Sequence, residues 1–126
     1  MNEIISNGKE VIRIEAEAIA DLKNSINEDF VNTVETIFTS KGRVVLTGMG
    51  KSGLIARKIV ATLNSTGTAA IYLHPTDALH GDLGMVRSED VVILISKSGE
   101  TEEISNLLPM LKRMNVKLIS MCGNKE

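Results

Sequence analysis

The stretch Val91-Val92-Ile93-Leu94-Ile95-Ser96-Lys97-Ser98-Gly99-Glu100-Thr101 decides how the rest of the chain is read. The apolar run from Val91 to Ile95 predicts a strand buried on both faces of a parallel sheet. Directly after it, Ser96, Ser98 and Thr101, with Gly99 among them, form a short polar turn. From there Ile104, Leu107, Leu108 and Leu111 recur at spacings of three and four, the period of a helix. A strand that enters a helix through such a turn leaves backbone N–H groups unpaired at the helix start, where the dipole favours an anion. The hydroxyls add donors at the same place, so a phosphate is the expected occupant. For either hydroxyl taken singly, the alternative is that Ser98 or Thr101 only caps the helix.

Outward from this stretch, the chain alternates helix and strand. Residues 8–26 predict a helix with Val11, Ile14, Ala18 and Leu22 on one stripe and Ile12, Ile19 and Ile26 beside it. That face is broader than one surface contact needs, which points to packing on a second subunit. A second helix follows, with Asn27 as its cap, Phe30, Val34 and Ile37 facing inward, and Gly42 as its stop. Strand one is expected over 43–47, a glycine turn over 48–53, and a helix carrying Leu54, Ile55, Ile59 and Leu63 to about Ser65. Strand two spans 69–73; Pro75 opens a short helix around 76–83, and 84–90 loop into strand three. After the helix at 101–113, interrupted by Pro109, strand four runs 117–121. Strands alternating with helices predict an α/β fold: a doubly wound, three-layer α/β/α arrangement of a parallel sheet with right-handed crossovers. The chain stops five residues past strand four, with no helix to cover it, so it is read as part of a longer protein.

Composition narrows the function classes. The 126 residues are read as one domain, 1–126, apolar enough at 43% to fold around a core. A net charge of −2 gives no electrostatic argument for nucleic acid, and one tyrosine, two phenylalanines and no tryptophan offer no stacking platform for bases. The single cysteine, Cys122, rules out an internal disulfide and is read as a small core residue ending strand four. No apolar run approaches the roughly 20 residues of a membrane span, and no signal segment opens the chain, so a cytoplasmic location away from membranes is expected.

Two glycine turns compete for the chemistry. Gly48-Met49-Gly50-Lys51-Ser52-Gly53 has the form of a dinucleotide fingerprint, but His74 stands at the end of strand two, where that reading requires an acid for the ribose. A P-loop would need glycine at Val45. What survives is a glycine turn, Gly50 within it, that presents Lys51 and Ser52 at a helix N-terminus. In the doubly wound order, strands one and three are neighbours and their C-terminal ends flank the switch-point crevice. Lys51, Ser52, Ser96, Ser98 and Thr101 then converge on one small phosphorylated ligand, with His80, Glu100 and Glu103 near. A histidine, a lysine and a carboxylate around an anion suit proton transfer next to a carbonyl. Singly, Glu103 also reads as a partner of the helix dipole, His80 as a turn residue and Lys51 as a solvated charge.

These residues resemble a known family. Gly48-Met-Gly-Lys-Ser-Gly, the run from His74-Pro75 through His80-Gly81-Asp82-Leu83-Gly84, and Ile95-Ser-Lys-Ser-Gly-Glu-Thr are similar to the sugar isomerase (SIS) domain. Within that family they are most similar to the branch of arabinose-5-phosphate isomerases of the lipopolysaccharide and capsule pathways. The resemblance implies interconversion of ribulose 5-phosphate and arabinose 5-phosphate, the first step towards the sugar Kdo, without a cofactor or metal. It implies a functional lysine at Lys51, a histidine at His80 and a glutamate at Glu103, with the phosphate loop on Ser96, Ser98, Gly99 and Thr101 beside Gly50 and Ser52. It also implies a strand order 2-1-3-4 with a fifth strand, a second glutamate, a second histidine and often a pair of CBS domains further downstream. The expected partner is a small phosphosugar, with no nucleic acid and no membrane, and the expected assembly a homo-oligomer, dimer or tetramer. The competing class is a non-catalytic SIS module that binds a phosphosugar as a regulatory ligand. Residues 1–42 show no basic face for a DNA-reading regulator.

Overall fold

Short apolar runs become strands here because each is long enough to cross one layer and too short for a stable helix. The computed structural model describes residues 2–123. β1 (Val44–Thr47), β2 (Ala70–Tyr72), β3 (Val91–Ser96) and β4 (Lys117–Cys122) form one sheet in the order β2-β1-β3-β4. Every neighbouring pair is parallel, with Val45 beside Ile71 and Val92, Leu46 beside Tyr72 and Ile93, and Ile93 beside Ile119. The expected order is therefore observed. The helices are α1 (Asn2–Asp21), α2 (Glu28–Thr39), α3 (Gly50–Ser65), α4 (Pro75–Leu79) and α5 (Glu102–Arg113), with 3-10 turns at Leu22–Ser25 and Asp82–Met85.

In the structure the chain forms two compact units that divide after Glu35. In the second unit, alternate residues of the sheet feed two cores. Val45, Val92 and Leu94 pack with Leu73, Ala78, Ile104, Leu107 and Leu111 on the face of α4 and α5. Val44, Leu46, Ile93 and Ile95 pack with Ala56, Ile59, Val60 and Leu63 on the face of α3. Full burial of a leucine such as Leu107 or Leu111 contributes about 1.5–3 kcal/mol. Three layers result, with central strands β1 and β3 wholly buried. At their N-terminal ends Asp90, 1% exposed, accepts from the Arg43 and Arg87 amides at 2.8 and 2.9 Å and from the Arg43 guanidinium at 3.0 Å. Edge strand β2 is held by the Asn64 amide, which donates to Ala70 O at 3.0 Å and accepts from Ala70 N at 2.8 Å.

Several expectations are corrected. α1 begins at Asn2, six residues before Gly8, and stops at Asp21. Glu3 in its first turn complements the dipole, and Ile4 and Ile5 carry the apolar stripe upstream. Asn27 does cap α2, accepting from the Asp29 and Phe30 amides at 3.0 and 3.3 Å, but Phe30 and Val34 are each 48% exposed and only Ile37 joins a core. Leu54 and Ile55 are exposed as well. The expected helix over 76–83 breaks at His80, because Gly81 takes φ +125°, and resumes as the 3-10 turn. Cys122 is exposed rather than in the core, since β4 is an edge strand with its C-terminal half open. No helix among the described residues is long and apolar enough to cross a membrane.

Candidate functional site

The polar turn after β3 is built by its own hydroxyls. Ser96, the last residue of β3, is 6% exposed; its Oγ is hydrogen-bonded to Thr101 Oγ1 at 2.9 Å and accepts from the Gly99 amide at 3.0 Å. Ser98 Oγ accepts from the Glu100 amide at 3.2 Å, and Gly99 sits at φ +76°. Neither hydroxyl caps α5: Thr101 occupies the N-cap position, yet its side chain is turned to Ser96 and makes no cap bond. The amides of Ser98 and Thr101 donate to no described residue, and the first amides of α5 lack intrahelical partners. Among the described residues this is the arrangement best suited to an anion: several N–H groups, a helix start and hydroxyls held in place by each other.

The glycine turn after β1 stands against it. Gly48 is buried, and a Cβ there would lie 2.9 Å from Ile95 O, so only glycine lets the two turns meet at their roots. Gly50 (φ +56°) starts α3, Lys51 is exposed in its first turn, and Ser52 is half-buried beside it. Gly53 closes the turn on Gly48; a Cβ there would come within 2.6 Å of Gly48 O and 2.7 Å of Tyr72 Oη. Tyr72 Oη donates to Gly48 O at 2.6 Å, and the Arg57 guanidinium lies over the Tyr72 ring, 4.1 Å from its centroid. Burial pushes the Tyr72 hydroxyl's pKa up, with Arg57 opposing, so the phenol stays a donor. Just before the turn, Thr47 is fully buried and its hydroxyl has no partner among the described residues.

The third segment is α4. His74 begins it, its Nδ1 accepting from the Thr76 amide at 3.2 Å, and its ring stands edge-on to Tyr72. His80 ends it as an exposed C-cap whose backbone N–H donates to Asp77 O at 3.0 Å. α4 packs on α5, whose first turn carries half-buried Glu103. The fold thus brings the hydroxyl turn and the glycine turn into contact and hangs His80 and Glu103 on neighbouring helices. No hydrogen bond or ion pair among the described residues joins Lys51, His80 and Glu103 to one another. Among the described residues no cluster of three or more His, Cys, Asp or Glu suits a metal ion. Tyr72, Arg57 and Thr47 were not singled out by sequence; the only signal was that this tyrosine-poor chain places its one tyrosine at the end of a strand.

Residues 37–126 match the SIS domain family. Arabinose 5-phosphate isomerase KdsD of Escherichia coli K12 is 54% identical over 119 residues, covering 94% of this chain and 36% of that protein. KdsD of Pseudomonas aeruginosa is 48% identical over 124 residues, covering 98% and 38%. The solved structure of E. coli CFT073 c3406 in complex with arabinose 5-phosphate superimposes with a TM-score of 0.90 at 46% identity, covering 96% of this chain and 64% of that one. The chain thus spans little more than a third of the length of these curated relatives. With the parallel sheet, the paired turns and a match over residues 37–126 in agreement, the chain belongs to the SIS domain family.

Proposed function

We propose that the protein carrying this chain is an aldose–ketose isomerase of a phosphorylated pentose, interconverting ribulose 5-phosphate and arabinose 5-phosphate through an enediol. The observation that carries the reading is the contact between the two turns: one offers an anion site, and the other presents Lys51 beside it. The similarity to KdsD and to a structure holding arabinose 5-phosphate supports the choice of sugar.

In this reading the phosphate rests on the turn of Ser96, Ser98, Gly99 and Thr101, with the α5 amides facing it and Gly50 and Ser52 on the other wall. A charge-assisted hydrogen bond to a phosphate contributes about 1.5–3 kcal/mol, so a few suffice to anchor the sugar. Glu103, one residue into α5, is the preferred base for moving the proton between C1 and C2, and the second glutamate that the family resemblance implies further downstream is its rival. Lys51 stabilises the enediolate oxygen from the opposite wall, where a fixed positive charge favours the developing oxyanion over the neutral carbonyl. His80 binds a sugar hydroxyl or assists ring opening. The chemistry asks for no redox cofactor, since the base takes the proton from one carbon, the electron pair stays on the substrate as the enediolate, and the proton is returned to the neighbouring carbon. The working protein is a homo-oligomer in the same reading.

The test is a coupled assay for ribulose 5-phosphate from arabinose 5-phosphate, run on this chain and on the complete protein. Turnover in the complete protein supports the isomerase. Calorimetric binding of arabinose 5-phosphate without turnover in the complete protein overturns it in favour of a phosphosugar-binding module.

A further inference from the structure

The carbonyl of Gly48 lies where β1 leaves the sheet. The β1–β2 ladder has by then ended: its last pair is Leu46 with Tyr72, closed by the Leu73 amide donating to Leu46 O at 2.9 Å. Gly48 is buried, and a buried carbonyl without a partner is costly. Among the described residues its one hydrogen bond is the 2.6 Å bond from Tyr72 Oη. The phenol is itself held. Its ring lies under the Arg57 guanidinium, one helical turn beyond Gly53 on the same face of α3, and packs against the core cluster that includes Ala56. Gly53, bare of a Cβ, leaves the space that the hydroxyl and the Gly48 carbonyl share. The side chain thus ties the end of β2 and the body of α3 to the one backbone group from which the Lys51 turn departs.

We infer that Tyr72 is a positioning residue: by clamping Gly48 O from behind the turn, it fixes where Lys51 stands against the ligand. It touches no substrate. Its effect reaches the reaction through the backbone of residues 48–51, three peptide units from the lysine. The inference rests on the isomerase reading for its kinetic consequence but not for the clamp itself.

Tyr72→Phe in the complete protein keeps the ring and its Arg57 contact and removes only the hydroxyl. With arabinose 5-phosphate, kcat should fall by about fivefold, the size that losing one neutral hydrogen bond sets. KM should stay within about twofold, because the phosphate turn is untouched. In a Lys51→Met background the same substitution should cost nothing further, which a general loosening of the fold would not produce. Hydrogen exchange of the amides of residues 49–53 should quicken by about fivefold while that of Val92 and Leu94 stays unchanged. An equal kcat loss in both backgrounds, or exchange at 49–53 that does not change, overturns the inference. If the parent protein turns over no arabinose 5-phosphate, the isomerase reading fails, and the exchange comparison alone decides whether Tyr72 holds the turn.

Discussion

Thr47 shows how a single position can be at odds with its surroundings. It ends β1 with a hydroxyl that is fully buried and has no partner among the described residues. An unpaired buried hydroxyl costs about 1–3 kcal/mol, and valine fills the same volume with a methyl. Thr47→Val should therefore raise stability by about 1 kcal/mol in urea denaturation; a loss of that size would mean that a water satisfies the hydroxyl. At the neighbouring turn the balance is opposite, since Ser96 Oγ serves both Thr101 and the Gly99 amide. The presence of hydroxyls at 96, 98 and 101 was readable in sequence, because strand, glycine and helical period bracket them. That two of them would bond each other, and neither cap α5, depends on the path of the turn in space and was not. Glu103 carries the chemical prediction. Glu103→Gln in the complete protein should keep arabinose 5-phosphate binding and slow deuterium wash-in from solvent at C1 and C2 by about 10²–10⁴-fold. Wash-in at the parent rate would remove Glu103 as the base.

Among the elements, β1 and β3 carry the fold, and one ion pair pins both at their N-terminal ends. Burial by itself pushes the Asp90 carboxyl's pKa up; the Arg43 guanidinium and the Arg43 and Arg87 amides outweigh it and hold the carboxyl below its ordinary value. A group with a depressed folded pKa stabilises fully above its unfolded value, about pH 4, and that stabilisation is lost as pH falls through the lower, folded value. Asp90→Asn should thus cost about 3 kcal/mol at neutral pH, since it strands a partly buried guanidinium. The gap between parent and variant in urea should narrow as pH drops below about 4. A gap that is constant with pH would show that Asp90 acts by packing alone. Apart from α1, which is displaced by five to six residues at both ends, strands and helices were legible to within a few residues, because apolar runs and helical periods are local signals. The errors lie where non-local facts decide. Cys122 looked like core until β4 proved to be an edge strand, and the helix after Pro75 looked continuous until Gly81 turned positive in φ. Tyr72 was out of reach for the same reason: its partner, Gly48, is set by the register of β2 on β1.

For the whole molecule, the open question is what the apolar surface of the N-terminal unit is for. None of the residues of α1 is buried, and Ile4, Ile5, Val11, Ile12, Ile14 and Ile19 are each more than half exposed. Ile5, Ile12 and Ile19 recur every seven residues along it, a spacing that lines one seam of a helix. Arg13 is engaged with Glu10 and Glu17 on the helix's own surface at 2.5 Å each. An apolar stripe of this extent on a helix rich in isoleucine favours association, and a second copy offers a matching stripe by symmetry. Sedimentation velocity should therefore find this chain above its monomer mass of 13.6 kDa. Replacing Ile12 and Ile19 with lysine removes two buried side chains per copy, each contributing about 1.5–3 kcal/mol, and sets like charges against one another. The dissociation constant should rise by more than about 10²-fold, leaving monomer at micromolar concentration. Far-ultraviolet circular dichroism of the variant should match the parent, since both positions are exposed within the single chain. If the parent itself sediments as a monomer at every concentration, the stripe does not join copies of this chain.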